Sequence, residues 1–486
     1  MILEPQIESL WINAILPEIV LAIAGMVLIL VDAFSPRSRG LMAPLALVSL
    51  VLALVAETEV APGIYFGGTW QVSGITQIFD FTFLLAAILT TMLAREYLWR
   101  ENLESGEFYA LLLWATIGMM MMGKGLDLLV VIVGLEMLSV CIFALVGYHR
   151  RIPISNEASL KYFLMGAFAT GFILYGTAFF YGATGSTSIA KLGAYLATTP
   201  EIPGVVTLGL VMLIGGFGFK LALVPFHGWA PDVYQGAPGP VAGWLSVAPK
   251  AATLIALMRV IGAFVPASNR IDWPVIVMIL SIASMVIGNF VAIAQRDLKR
   301  MLAYSGIAHV GYMMIAVLVL RTEAVAAVAV YTITYALMNI GAFGVVSLLD
   351  KNQNDPQTLD DIAGLGFRKP FYGLALALCM FSLAGLPPTA GFVSKFYVFK
   401  VAIESGAVAM AVIAILTSIV SVYYYLRVVY FLYMKEADGP VPLITEGIFS
   451  AGALVISMLG ILLIGIFPTT LFRAAAEVAS TLLQFP

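Results

Sequence analysis

Apolar runs of some twenty residues recur along the whole chain, separated by short polar connections. A helix of that length crosses a hydrocarbon core about 30 Å thick. The pattern predicts an all-α polytopic membrane protein with about fourteen transmembrane helices. The predicted spans are 11–33, 41–56, 76–94, 108–122, 126–147, 158–182, 204–235, 239–265, 273–294, 300–320, 325–349, 371–402, 405–432 and 446–470.

Two of these spans are predicted to contain a broken helix. Pro225 and Pro231 stand inside the span 204–235, and Pro387 and Pro388 stand inside the span 371–402. Proline removes a backbone donor and clashes with the preceding helical turn. Broken helices at membrane depth occur where the loosened backbone is buried in protein or lines water.

Composition supports the membrane assignment and excludes several function classes. The 486 residues are 61% hydrophobic and only 11% charged, with a mean hydropathy of +0.99, whereas soluble domains have about 25% charged residues. The net charge of −3 and the lack of a basic tail argue against nucleic acid as a partner. The first eleven residues carry no Lys or Arg, so we expect the first apolar run to remain as a span in the lipid bilayer rather than to be cleaved.

No cofactor-binding or metal site is expected in this chain. Cys141 and Cys379 both lie in apolar runs and form no CxxC pair. The sequence has no GxGxxG after a strand and no GxxxxGK[ST], the usual signatures of dinucleotide and ATP sites.

The basic residues of the connections predict the orientation. With the N-terminus outside, fourteen Lys and Arg fall to the inner side and seven to the outer side, Lys124 and Arg259 among the latter. Cytoplasmic loops are the richer ones, so both termini are predicted to be periplasmic. Glu18 is expected at the membrane interface.

Four lysines within predicted spans are assigned to neither side: Lys161, Lys220, Lys250 and Lys395. A lysine near the bilayer centre costs a few kcal/mol, so such residues usually face a polar cavity or a partner. Lys161 follows Glu157 by four residues, and an ordinary intrahelical ion pair is an equal explanation for it. A snorkelling lysine is the alternative for Lys250.

Three further ionisable residues accompany these lysines. Glu136 stands within an apolar run; it is interpreted as a protonatable partner of a lysine, with a neutral packing acid as the alternative. His309 could pass protons, since the pKa of histidine is near working pH, or be a satisfied core histidine. His227 beside the first break could relay a proton or bind freed carbonyls. We predict that Glu136, Lys220, Lys250, His309 and Lys395 follow one another along the bilayer midplane.

The two broken spans share a short string, GFGFK at 216–220 and GFVSK at 391–395, 175 residues or about five spans apart. An odd number of crossings inverts topology, as in transporters built from inverted repeats. The predicted organisation is a three-helix N-terminal segment (1–105), two inverted five-helix repeats that each form a proton half-channel (106–265 and 270–432), and a C-terminal helix (433–486).

Five motifs in this order resemble the antiporter-like membrane subunits of respiratory complex I: GLEMLSV, GFGFKLALVPFHGWAPDVYQGAP, SVAPKAA, RDLKRMLAYSGIAHVGYMM and GLPPTAGFVSKFYVF. The resemblance covers roughly residues 11–470. LPEIVL at 16–21 and PPTAGF before Lys395 are typical of the N-type subunit of bacterial NADH–quinone oxidoreductase.

The resemblance implies that Glu136, Lys220, Lys250, His309 and Lys395 translocate protons, with Lys161 a less certain member. The driving force would come from NADH oxidation and quinone reduction in partner subunits that hold FMN and iron–sulfur clusters. The implied partners are other membrane subunits and, through them, the hydrophilic redox arm, and the implied location is the bacterial inner membrane.

Two alternatives stay open. A subunit of a multisubunit cation/proton antiporter would share the same motifs and repeats. The other is a structural membrane scaffold without a transport role. Burying four lysines and Glu136 in the membrane costs free energy, and a scaffold gives no reason for that cost.

Overall fold

A computed structural model describes residues 11–349, 357–436 and 444–482. These ranges are almost entirely helical, with one short hairpin formed by β1 (Gly63–Tyr65) and β2 (Trp70–Val72) in antiparallel register. The helices of the first half are α1 Leu16–Phe34, α2 Met42–Glu59, α3 Gly74–Arg100, α4 Gly106–Lys124, α5 Leu128–Val146, α6 Pro153–Thr184, α7 Ile189–Thr198, α8 Gly204–Lys220, α9 Ala230–Gly236, α10 Gly239–Leu245 and α11 Ala248–Phe264. Those of the second half are α12 Trp273–Ala294, α13 Leu298–Val319, α14 Thr322–Leu348, α15 Leu365–Arg368, α16 Pro370–Ala384, α17 Ala390–Glu404, α18 Val408–Tyr433, α19 Ile448–Ile466 and α20 Pro468–Ala479.

The all-α polytopic membrane architecture is confirmed. Within the described ranges, twelve helical stretches of at least 18 residues are apolar enough to cross a membrane, and α8 and α16 are shorter apolar helices. The division into inverted repeats and its boundaries stay predictions. Three helices were not predicted. Helices α7 and α15 lie in connections, and α20 begins at Pro468 inside the last predicted span, directly after α19 ends.

Local sequence signals set several helix ends. The Asp127 carboxylate accepts the backbone N–H of Leu129 at the start of α5, and Asp297 accepts that of Arg300 at the start of α13. Such N-caps satisfy donors that have no partner inside the helix. Gly185 ends α6 with φ +68°, a conformation that glycine adopts at little cost.

The first helix break lies between Lys220 and Ala230, where residues 221–229 form turns. The prolines that follow open new helices, since Pro231, Pro240 and Pro249 each stand in the first turn of α9, α10 or α11. No intrahelical donor is needed there, so proline is tolerated. The freed N–H of Val224 donates to the Ser284 hydroxyl of α12 (3.0 Å).

The second helix break separates α16 from α17. Gly385 ends α16 with φ +82°, and α17 begins at Ala390. The N–H of Gly391 donates to the Ser382 hydroxyl (3.0 Å), so the two helices are joined closely at the turn. Lys395 is thereby held on α17 in front of the open end of α16.

The interior of the bundle is formed by α10, α11 and α14. Helix α14 packs against α3, α10, α13, α16, α17, α19 and α20, and almost all of its residues are buried. Helices α1, α2 and α19 lie at the periphery with most of their surface uncovered. The buried lysines and His309 therefore lie inside the protein rather than against lipid.

Candidate functional site

Lys220 and Glu136 lie near each other without direct contact. The Lys220 ammonium is buried, donates to the Ser139 hydroxyl (2.7 Å) and lies 5.6 Å from the centroid of the Phe143 ring. The Glu136 carboxylate accepts from the Thr170 hydroxyl on α6 (2.7 Å). The two charges interact electrostatically. Ser139 is one helical turn beyond Glu136 on α5, so a hydroxyl stands between the charged groups.

Lys250 on α11 is buried, and its ammonium has no hydrogen-bond partner among the residues that the structure describes. It lies 5.6 Å from the centroid of the Tyr234 ring, which gives a favourable cation–π contact. Gly306 of α13 leaves the space for it, since a Cβ there would lie 3.1 Å from Lys250 Nζ and 2.9 Å from the Tyr335 hydroxyl. The ammonium and this hydroxyl therefore face the same small gap.

His309 on α13 has a hydroxyl partner at each ring nitrogen. Nδ1 lies 2.8 Å from the Tyr331 hydroxyl of α14, and Nε2 lies 3.0 Å from the Tyr425 hydroxyl of α18. Its ring stacks on Tyr335 with centroids 4.9 Å apart. A hydroxyl both donates and accepts hydrogen bonds. The ring can therefore pass a proton from one tyrosine hydroxyl to the other while both of its nitrogens stay hydrogen-bonded.

Lys395 is held by the end of a helix. Its ammonium donates to the carbonyls of Leu383 (2.8 Å) and Ala384 (3.2 Å) and to the Ser418 hydroxyl (3.1 Å). The last carbonyls of α16 have no partner inside the helix and carry the negative end of its dipole. The second break therefore makes a site for a cation, and a cavity of about 560 Å³ adjoins Lys395 between α17 and α18.

Lys161 and His227 lie outside this series. Lys161 pairs with Glu157 (2.6 Å), as the spacing predicted, and also with Asp232 of α9 (3.0 Å). Asp232 in turn pairs with Arg300 at the start of α13 (2.7 Å). The His227 ring lies in the first break, 6.4 Å from the Tyr304 ring. This network ties α6, α9 and α13 together.

The aromatic hydroxyls that join the site were missed in the sequence. Tyr331, Tyr335 and Tyr425 are buried among the ionisable groups, and Tyr425 also bonds to the Ser305 hydroxyl. Asn339 connects Tyr335 to Ser246 of α10. The spacing of Tyr331, Tyr335 and Asn339 by four residues puts them on one face of α14, which is a signal the sequence does contain.

The structure buries two charged residues that were expected at the outer side. Lys124 is fully buried, and its ammonium contacts the carboxylates of Glu18 (2.8 Å), Glu57 (2.9 Å) and Asp80 (2.9 Å). Glu18 is part of this buried group rather than an interfacial residue. Lys124 is compensated when the four helices pack, because its ammonium then faces all three carboxylates. We call Glu18, Glu57, Asp80 and Lys124 the Lys124 cluster.

Comparisons with known proteins agree with the geometry. The transmembrane family described as NADH:quinone oxidoreductase/Mrp antiporter matches residues 125–421. NADH-quinone oxidoreductase subunit N of Trichlorobacter lovleyi is 40% identical over 477 residues, covering 97% of each chain. Subunit N of Rhodospirillum rubrum is 41% identical over 439 residues, which is 89% of this chain and 90% of the relative.

Solved structures give the same fold. A chain of respiratory complex I from Thermus thermophilus is 35% identical with a TM-score of 0.80, covering 95% of this chain and 99% of that one. A chain of the Mrp complex from Dietzia has a TM-score of 0.82 at 19% identity, covering 99% and 98%. The resemblance drawn from the five motifs is confirmed, and the chain belongs to the NADH:quinone oxidoreductase/Mrp antiporter transmembrane family.

Proposed function

We propose that this chain is the proton-translocating N-type membrane subunit of a respiratory complex I. Protons move through its buried Glu, Lys and His residues, driven by NADH oxidation and quinone reduction in other subunits. Glu136 and Lys220 form the first switch, Lys250 and His309 the middle, and Lys395 the end of the route.

The environment of His309 carries the proposal. Both ring nitrogens bond to tyrosine hydroxyls, and Lys250 and Lys395 both interact with the ring electrostatically. A proton that reaches either lysine changes the field at the histidine, and the hydroxyls provide continuous partners for its transfer. A scaffold would not need two buried ammonium groups on either side of a relay histidine.

The cofactors and partners of such a subunit lie elsewhere in the complex. No NADH, FMN, iron–sulfur or quinone site is assigned to this chain; these belong to partner subunits that reach it through neighbouring membrane subunits. We place the chain in the bacterial inner membrane with both termini periplasmic, on the strength of the basic residues in its connections.

Replacing Lys395 tests the proposal against a control on the same helix. We expect Lys395→Met to lower the protons pumped per NADH oxidised by the complex in vesicles, read from quenching of a pH-sensitive dye. Lys400 is exposed and pairs with Glu404 one turn later (3.6 Å), so Lys400→Met should pump normally. Equal pumping by Lys395→Met and wild type would overturn the proposal.

A subunit of a multisubunit cation/proton antiporter remains the second candidate, favoured by the fold shared with the Mrp chain. Purification of the tagged chain in mild detergent separates the two. Iron–sulfur absorbance and NADH-driven quinone reduction in the purified material support complex I. Membrane partners without redox centres, together with sodium-driven proton movement in vesicles, would support the antiporter.

A further inference from the structure

The Lys124 cluster brings charged groups from four helices to one side of the bundle. Glu18 stands in the first turn of α1, Glu57 near the end of α2, Asp80 in the second turn of α3, and Lys124 is the last residue of α4. The Lys124 ammonium also lies 5.8 Å from the centroid of the Trp70 ring of the hairpin. All four charged side chains are buried, with exposures between 0% and 6%.

The carboxylates outnumber the cations that face them. Arg259 of α11 is the further charged group, fully buried, with Nη1 donating to the carbonyls of Lys124 (3.4 Å) and Gly125 (3.1 Å). It interacts electrostatically with Asp80. Three ionised carboxylates against Lys124 and Arg259 leave one uncompensated negative charge. A buried charge without compensation is costly, and such groups normally neutralise by taking up a proton.

The hydrogen bonds show where a proton fits. The Lys124 ammonium donates to Glu18 Oε1 and Glu57 Oε2, and it lies 2.9 Å from Asp80 Oδ2 as an ion pair. Within the described residues, Oε2 of Glu18, Oε1 of Glu57 and both carboxylate oxygens of Asp80 are buried without a hydrogen-bond partner. Glu57 and Asp80 face the same ammonium and are the most deeply buried of the three acids, with exposures of 1% and 0%. A negative charge is least favourable there, so these two carboxyl groups are the best places for the proton.

We propose that the Lys124 cluster is a proton-binding site that holds one proton on its carboxylates, shared mainly between Glu57 and Asp80. The proton comes from water as one carboxylate forms an O–H bond, and returns to water when that bond breaks. A metal cation is a poor occupant, because the Lys124 ammonium already takes the position between the three carboxylates. The site is separate from the Lys220–Lys395 series and does not depend on the translocation proposed for it.

A cavity connects the cluster to the surface. It has a volume of about 460 Å³ and is lined by Glu57, Thr58, Gln77 and side chains of α3 and α20. Thr58 is exposed, and Gln77 donates to the carbonyls of Glu57 (3.1 Å) and Val60 (3.2 Å). Glu57 is therefore the member of the cluster through which we expect the proton to exchange.

Infrared spectroscopy of the purified complex tests the site, because a protonated carboxyl has a C=O stretch distinct from that of a carboxylate. Changing one acid to its amide leaves two carboxylates against two cations, so no proton is needed. We therefore expect Glu18→Gln, Glu57→Gln and Asp80→Asn each to lose the band of one protonated carboxyl per chain. Glu59→Gln is the matched control, since Glu59 is exposed two residues from Glu57, and should keep it.

The opposite change sharpens the test. Lys124→Met leaves three carboxylates against Arg259 alone, so the band should double to two protonated carboxyls per chain. Retained NADH-driven quinone reduction shows that a variant has assembled correctly. Because there are three independent amide variants, the test still works if one of them fails to assemble. A band unchanged in every amide variant, or absent from the wild type and replaced by sodium-dependent carboxylate shifts, would overturn the proposal.

Discussion

Two buried lysines should respond to the same substitution with opposite changes in stability. Within the described part of the chain, no group accepts a hydrogen bond from the Lys250 ammonium, and a buried unsatisfied polar group costs about 1–3 kcal/mol. Methionine has a similar length and adapts to irregular spaces. Removing the unpaired ammonium outweighs the loss of its contact with the Tyr234 ring, which is worth about 0.5–2 kcal/mol. Lys250→Met should therefore raise the free energy of unfolding by about 1 kcal/mol. Lys250→Met and Lys395→Met should nevertheless both pump fewer protons.

Lys395→Met should instead lower the free energy of unfolding. The change removes the donor of three hydrogen bonds and leaves the carbonyls of Leu383 and Ala384 unpaired at the end of α16. Leaving buried acceptors unpaired costs about 1–3 kcal/mol, and the favourable contact with the helix dipole is lost as well. The sign follows from the contacts alone, since both lysines are almost fully buried.

The assay is thermal unfolding of the fluorescently tagged subunit in detergent, followed by the fraction that stays monodisperse after heating. Proton pumping by the same variants is measured separately in vesicles. Lys250→Met should melt above wild type and Lys395→Met below it. If Lys250→Met melts below wild type, the ammonium is stabilised by more than its missing hydrogen bonds cost, and the reasoning about its site is refuted.

Three further outcomes are expected. Burial raises the pKa of Glu104, in the connection before α4, from 4.5 to about 7. The folded state therefore binds a proton more tightly than the unfolded state, and its stability should fall as the pH rises from about 4.5 to 7. In melting temperatures measured across this pH range, Glu104→Gln should remove that fall. Gly391→Ala should prevent correct packing, because a Cβ would lie 1.8 Å from the Ser382 carbonyl oxygen; a normal melting temperature would contradict this. Tyr425→Phe removes the partner of His309 Nε2 and should slow pumping in vesicles more than it changes stability.

The transmembrane helices and the buried lysines could be predicted from the sequence because each depends on a local property. An apolar run has to be about twenty residues long to span the bilayer, and a lysine inside such a run is visible without knowing its neighbours. The prolines also marked the breaks, since their effect on a helix is local. Their second role, opening α9, α10 and α11, depends on where each new helix begins and was not predicted.

The partners of these residues could not be predicted, because they depend on how helices pack. Glu18, Glu57, Asp80 and Lys124 stand near helix ends, where charged residues usually meet water or headgroups. Only the arrangement of α1 to α4 brings their side chains together in the interior. Likewise, Tyr425 and His309 are 116 residues apart, and no spacing rule relates them.

The arrangement of Glu136 and Lys220 indicates what has to change during a cycle. Each charge is bonded to a hydroxyl, Thr170 for the carboxylate and Ser139 for the ammonium, and hydroxyls can rotate to new partners. In the proposed translocation, a direct ion pair between Glu136 and Lys220 would replace these two bonds. Lys220 is the last residue of α8 and stands at the first helix break. We therefore expect a rearrangement of this break to make or lose its contact with the acid.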